Sequence, residues 1–96
     1  MMRADFDSEA DALSIDLNVA GRWDGNVEID DTYCRVATSG GVPVNIELLN
    51  PADHLDLLEM AAEVTGVEAR ALKAAATSAI TVPDTVVTLE FSPVRD

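Results

Sequence analysis

Basic residues, cysteine, histidine and aromatic rings are all scarce in this chain of 96 residues, and each scarcity closes off a class of function. Lys and Arg number 6 against 18 Asp and Glu, a formal net charge of −12. A phosphate backbone repels such a surface, and nucleic-acid binders gather their Lys and Arg on one face. Here Arg3, Arg22, Arg35, Arg70, Lys73 and Arg95 are scattered, and only Arg70 and Lys73 are close, with Glu68 beside them. Nucleic acid and anionic membrane are therefore not expected as ligands. Cys34 is the one cysteine, so no intramolecular disulfide forms and a reducing cytoplasm is the expected setting. His54 is the one histidine, and no pair of cysteines accompanies it, so a structural zinc site is not expected. The opening Met1-Met2-Arg3-Ala4-Asp5-Phe6-Asp7 turns acidic at once and lacks the apolar run of a signal peptide. No stretch approaches the roughly 20 apolar residues that span a bilayer. With aromatics at 4%, the core has to be built from Ala, Val, Leu and Ile, and it should be thin.

What the chain does have is alternation. Leu13, Ile15 and Leu17 alternate with Ser14, Asp16 and Asn18, the period of two that marks a half-buried strand. Asp7 to Asp11 is turn chemistry, which lets Arg3–Phe6 pair back onto 12–18 as a first strand. Residues 19–25 read as a loop, Val27–Ile29 as a short strand, and Tyr33–Thr38 as another. Ser39-Gly40-Gly41 closes a hairpin by supplying positive φ. Val42, Val44, Ile46 and Leu48 then alternate with Pro43, Asn45, Glu47 and Leu49. Pro43 cannot donate to a ladder, which places it at the strand's start or on an edge.

The second half is helical. Asn50-Pro51-Ala52-Asp53 predicts a helix start with Asn50 as its cap. Leu55, Leu58 and Ala62, flanked by Leu57, Ala61 and Val64, form an apolar stripe. Thr65 and Glu68 have capping-box spacing before an Ala-rich second helix over about 66–78. Val87, Leu89 and Phe91 give a last strand. The expected fold is therefore α+β in one domain over 1–96. It is a small, mainly antiparallel sheet, with two C-terminal helices packed on one face and a final strand. Leu13, Ile15, Leu17, Val44, Ile46, Leu48, Leu55, Leu58 and Leu89 are the candidate core.

Residues 6–15, Phe-Asp-Ser-Glu-Ala-Asp-Ala-Leu-Ser-Ile, resemble the opening of domain-of-unknown-function family 2283, an aromatic-Asp-x-Glu-Ala-Asp-Ala-Leu pattern. That pattern continues through a Gly-containing hairpin into a Gly-Ile-Glu-Ile-Leu-like strand, and Gly41–Leu49 occupies that place here. Asn45 stands where the pattern has Gly, Ser14 where an aromatic is common, and residues 51–96 lie mostly outside it. The resemblance covers about residues 1–50 and implies a small prokaryotic protein with an antiparallel sheet. It carries no activity with it. By gene arrangement, some members are similar to the acidic partners of small toxins.

Candidate functional residues are few. Asp11 and Glu47 are the polar positions to watch within the resembling segment. The bland alternative has Asp11 bonding backbone N–H groups in its turn and Glu47 on a solvent face. Asp5, Asp7, Glu9, Asp11 and Asp16 superficially have calcium-loop spacing, yet Ala10 and Asp16 fill the positions that need Gly and Glu. Cys34 and His54 could form a nucleophile and base only if the thiol were accessible. Trp23, in Gly21-Arg22-Trp23-Asp24-Gly25, reads either as an interface anchor or as an indole folded over the sheet edge. No catalytic set, cofactor fingerprint or metal-ligand set is spelled out. The first functional expectation is a non-catalytic protein-interaction module, a homodimer or the acidic partner of a basic protein, with Arg22 and Trp23 as contacts. The alternative is a small enzyme or ligand binder using the carboxylates of Asp11 and Glu47. A mimic of nucleic-acid charge would need acidic side chains in regular rows on one face.

Overall fold

The alternation is realised as a six-stranded antiparallel sheet roofed on one face by two helices. The computed structural model describes residues 2–17 and 22–89. Its strands are β1 (Met2–Asp7), β2 (Ala12–Asp16), β3 (Gly25–Asp30), β4 (Cys34–Ser39), β5 (Val42–Leu49) and β6 (Val87–Leu89). A 3-10 turn at Pro51–Asp53 leads to helices α1 (Leu57–Thr65) and α2 (Ala69–Thr81). Strand order across the sheet is β3-β4-β5-β2-β1-β6. The last strand thus returns to pair with the first in the same chain, Met2 opposite Leu89. The expected α+β architecture is the observed one. Asn18, Gly21 and Phe91 lie outside the described residues.

Register puts the apolar set on one side. Leu13 lies opposite Leu48, Ile15 opposite Ile46, Cys34 opposite Leu48 and Val36 opposite Ile46. All of these are buried beneath the helices, with Met2 and Ala4 of β1. Helix α2 lies over β1, β2 and β6, and α1 over β3, β4 and β5. The α2 stripe is Leu72, Ala75, Ala76 and Ala79, spaced i, i+3, i+4, i+7, all fully buried. Alanines favour the helix intrinsically and bring its backbone close to Ala4 and the rest of β1. Of the candidate core, Leu13, Ile15, Leu17, Val44, Ile46, Leu48 and Leu58 are buried, while Leu55 and Leu89 are only partly so. Met2, Ala4, Cys34, Val36, Ala61 and the α2 stripe complete it.

Several local expectations are corrected. Asn50 does not cap a helix with its side chain; it takes the left-handed conformation (φ 48°), and its N–H donates to the Asp11 carbonyl at 2.9 Å. The capping box is not formed either. Glu68 holds the cap position of α2 without a side-chain bond, and Thr65 Oγ1 donates to the Ala61 carbonyl. Gly66, at φ 79°, ends α1 by donating its N–H to the Ala62 carbonyl. The second helix therefore starts at Ala69, three residues later than the capping pattern suggests. In the β1–β2 turn it is Asp7, not Asp11, whose carboxylate accepts backbone N–H groups, those of Glu9 and Ala10. Asp11 supplies a positive φ of 54° instead.

Ile15 sits wholly buried at the centre of the sheet, between Ala4 and Ile46 in register. Ile15→Val should cost about 0.5–1.5 kcal/mol. Ala76→Leu should overpack the helix–sheet contact by about 1–3 kcal/mol. Both are read as lower urea midpoints at unchanged slope. An Ala76→Leu protein as stable as the parent would mean that α2 does not lie this close to β1.

Candidate functional site: the uncovered face of the sheet

The second face of the sheet has no helix over it among the described residues, and its side chains fall in two cross-strand rows. One row runs Glu28, Arg35, Glu47, Ser14, Asp5 from β3 to β1. The neighbouring row runs Asn26, Ala37, Asn45, Asp16, Arg3, Thr88. Directly opposed strand residues approach closely, so opposite charges there attract. Arg35 Nε donates to Glu47 Oε1 at 2.8 Å, and Arg3 pairs with Asp16 at 3.2 Å. These side chains are half exposed, and each such pair contributes about 0.2–1 kcal/mol. Signs alternate from Glu28 through Arg35 to Glu47, beyond which the row holds neutral Ser14 and acidic Asp5. A nucleic-acid mimic would need single-sign rows, which this face does not have.

A β-bulge makes this arrangement. Between β4 and β5 the register shifts after Ala37, which lies opposite Asn45, while Thr38 lies opposite Pro43. Val44 is the extra residue, and Val44, Asn45 and Ile46 are all buried in succession. Pro43, next to the shift, is where a missing N–H is tolerated. Asn45 is only 4% exposed although it lies on the open face, and its amide donates to Ser14 Oγ at 2.9 Å.

Trp23 stands at the margin of this face, just before β3, and is 64% exposed. It does not fold down to enlarge the core, so the reading of the indole as a cover for the sheet edge is not what the structure shows. Its position is fixed by its neighbour. The Asp24 carboxylate accepts the Gly40 N–H, and the Asp24 N–H donates to the Thr38 carbonyl at 3.0 Å. Gly40 and Gly41, at φ 57° and 86°, make the two-residue hairpin turn that presents this N–H. Trp23, Asp24, Gly25, Asn26, Arg35, Ala37, Asn45 and Glu47 line a concavity of about 380 Å³. A second hollow, about 140 Å³, lies beyond Arg35 and Glu47 and is lined by Glu28, Asp30, Tyr33 and Leu49 among others.

The residues expected from the sequence therefore separate. Trp23 and Glu47 meet at one concavity. Arg22 is exposed and lines neither hollow. Asp11 sits in the β1–β2 turn, level with Asn50 at the far end of β5, and lines neither hollow. Three residues of strand separate that level from Glu47, roughly 10 Å at 3.3 Å each. The geometry does not bring Asp11 and Glu47 together. Arg35, Asn45 and Asp24 belong to the site and were not anticipated.

Cys34 is buried, and its burial, helped by the negative charge of Asp30, pushes the thiol up to about 11. His54 stacks on Tyr33, with ring centroids 3.9 Å apart, and its Nδ1 lies 3.0 Å from the Asn50 carbonyl. The imidazole is held by these contacts. Among the described residues no group of three or more His, Cys, Asp or Glu side chains is placed to hold a metal ion. No helix among them is long and apolar enough to cross a membrane. Two turn carboxylates are held below their ordinary value. Asp30 accepts the Thr32 and Tyr33 N–H groups, and Asp84 accepts the Ser8 hydroxyl and N–H. In comparisons with known proteins, no family model, no curated protein and no solved structure matches this chain.

Two measurements follow. A thiol reagent at pH 8 should label Cys34 only after denaturation; rapid labelling of the folded protein would place the sulfur elsewhere. A depressed carboxylate stabilises the fold above its ordinary value of 3.8 and loses that contribution as pH falls through the lower folded value. Asp84→Asn should therefore flatten the acid-unfolding limb below 3.8 and leave its neutral-pH part shifted by a constant. An unchanged acid limb would contradict the Ser8 contact.

Proposed function

We propose that this chain is a non-catalytic interaction module, an acidic protein that engages a basic protein partner through the open side of its sheet. The observation that carries the reading is Trp23. It is a largely exposed indole, anchored through Asp24 beside a concavity of mixed polar and apolar lining, in a chain of charge −12. Trp is enriched among the residues that dominate binding energy, and a strong net charge speeds encounter with a partner of opposite sign. Two copies at −12 repel one another, which favours a basic partner over a homodimer. The enzyme alternative needs Asp11 and Glu47 in one cleft, and their placement gives it no support. The resemblance of Phe6–Ile15 and Gly41–Leu49 to domain-of-unknown-function family 2283, some members of which are similar by gene arrangement to acidic partners of small toxins, is in keeping with an acidic partner role. The buried, lone Cys34 fits a reducing cytoplasm.

Affinity capture from the cell that makes this protein tests the reading, with the intact chain and Trp23→Ala as baits at low and high salt. A basic protein should be retained at low salt and released at high salt. Trp23→Ala should weaken its retention by about tenfold or more, as hot-spot truncations do. A chain that retains no basic protein and stays monomeric at high concentration, or that turns over a substrate, would be something else.

A further inference from the structure

We infer that the partner adds a strand to the outer edge of β3, as an extended segment alternating basic and apolar residues. This rests on the reading of the chain as an acidic partner and specifies how it binds. Strand β3 ends the sheet, and among the described residues nothing pairs with its outer side. Strand β3 offers six residues along this edge. Edge strands are commonly defended by Lys or Pro; β3 contains neither. Its register irregularity lies between Glu28 and Asp30, leaving Gly25–Glu28 as regular strand that an incoming backbone can follow.

The side chains specify the occupant. Val27 lies opposite the buried Val36, on the helix-covered side of the sheet, yet remains 41% exposed. An apolar residue opposite Val27 extends the core by one strand. Glu28 lies on the open face opposite Arg35, but the Arg35 guanidinium bonds to Glu47 on its other side. Among the described residues Glu28 has no ion pair within 4.0 Å. A cation placed opposite Glu28 continues the alternating row outward as cation, Glu28, Arg35, Glu47. Strand β3 has no cation of its own, so a second copy on this edge leaves Glu28 uncompensated.

The test uses the full chain and three synthetic peptides: alternating Lys and Val, alternating Asp and Val, and the Lys–Val peptide N-methylated at every residue. The last keeps each charge and side chain but donates no backbone hydrogen bond. The Lys–Val peptide should bind and slow amide exchange over Gly25–Asp30. The Asp–Val peptide should not bind, and N-methylation should weaken binding by about tenfold or more, since each lost backbone bond removes a good part of that factor. Glu28→Lys, exposed and outside the core, should fold as the parent does and weaken the Lys–Val peptide by about fivefold. Equal binding of the N-methylated peptide, or exchange protection away from β3, overturns strand addition while leaving the acidic-partner reading standing. Absence of binding by either Lys–Val peptide at low salt overturns both. Concentration-dependent dimerisation that protects β3 without peptide shows that the occupant is a second copy and overturns the basic segment.

Discussion

Everything in this fold depends on a shortage of cover. Among the described residues, six strands have two α-helices to shield them, and those helices close one face of the sheet. The hydrophobic effect then acts on alternate residues of every strand, and the remaining ones have to be compatible with water. The alanine stripe of α2 is one consequence, since a thin roof has to lie close to what it covers. The cross-strand ion pairs Arg3–Asp16 and Arg35–Glu47 are another, because the outer face is knitted by charge where it cannot be by packing. The surfaces open to a partner are the ones that this small roof leaves over.

Much of this was legible in the chain, and for a physical reason: an alternation of Leu and Ile with Ser and Asp has large contrast. Leu13-Ser14-Ile15-Asp16 declares a strand and its buried side at once. Ala4, Ala75, Ala76 and Ala79 are as deeply buried as any leucine, but alanine sits comfortably in water or in a core and gives no such contrast. The turns were harder. Asp7 and Asp11 are the same residue type four positions apart. Which one accepts N–H groups and which one turns the chain through positive φ depends on a hydrogen bond from Asn50 that is distant in sequence. Asn50-Pro51 has the composition of a helix start, yet the chain first makes a 3-10 turn, and the α-helix begins at Leu57.

The site was half legible. Trp23 stands out by rarity and Glu47 by its polar place in an apolar strand. Arg35 could have been paired with Glu47 only by knowing the bulge. Counting back from the two-residue turn at Gly40-Gly41, with Ser39 opposite Val42, an unbroken ladder sets Arg35 against Ile46. A one-residue slip reverses every side chain. The extra residue Val44 restores the match, placing Val36 on Ile46 and Arg35 on Glu47 together. Pro43 is the local sign of this irregularity, but in the sequence it signals an edge or a strand start, which describes the same loss of a donor without locating the shift. The bulge thus serves packing on one side of the sheet and charge pairing on the other.

The pairing of β6 with β1 has a kinetic meaning. Met2 meets Leu89 across almost the whole described length of the chain, so this contact closes the largest loop among the described residues. The neighbouring hairpins close over a few residues and need no such search. Strand β6 is therefore the natural last arrival in folding and the first element to detach when the native state breathes. Its departure would uncover Met2 and Ala4 while the rest of the sheet stayed paired, giving the domain a partly open form at much lower free energy than full unfolding.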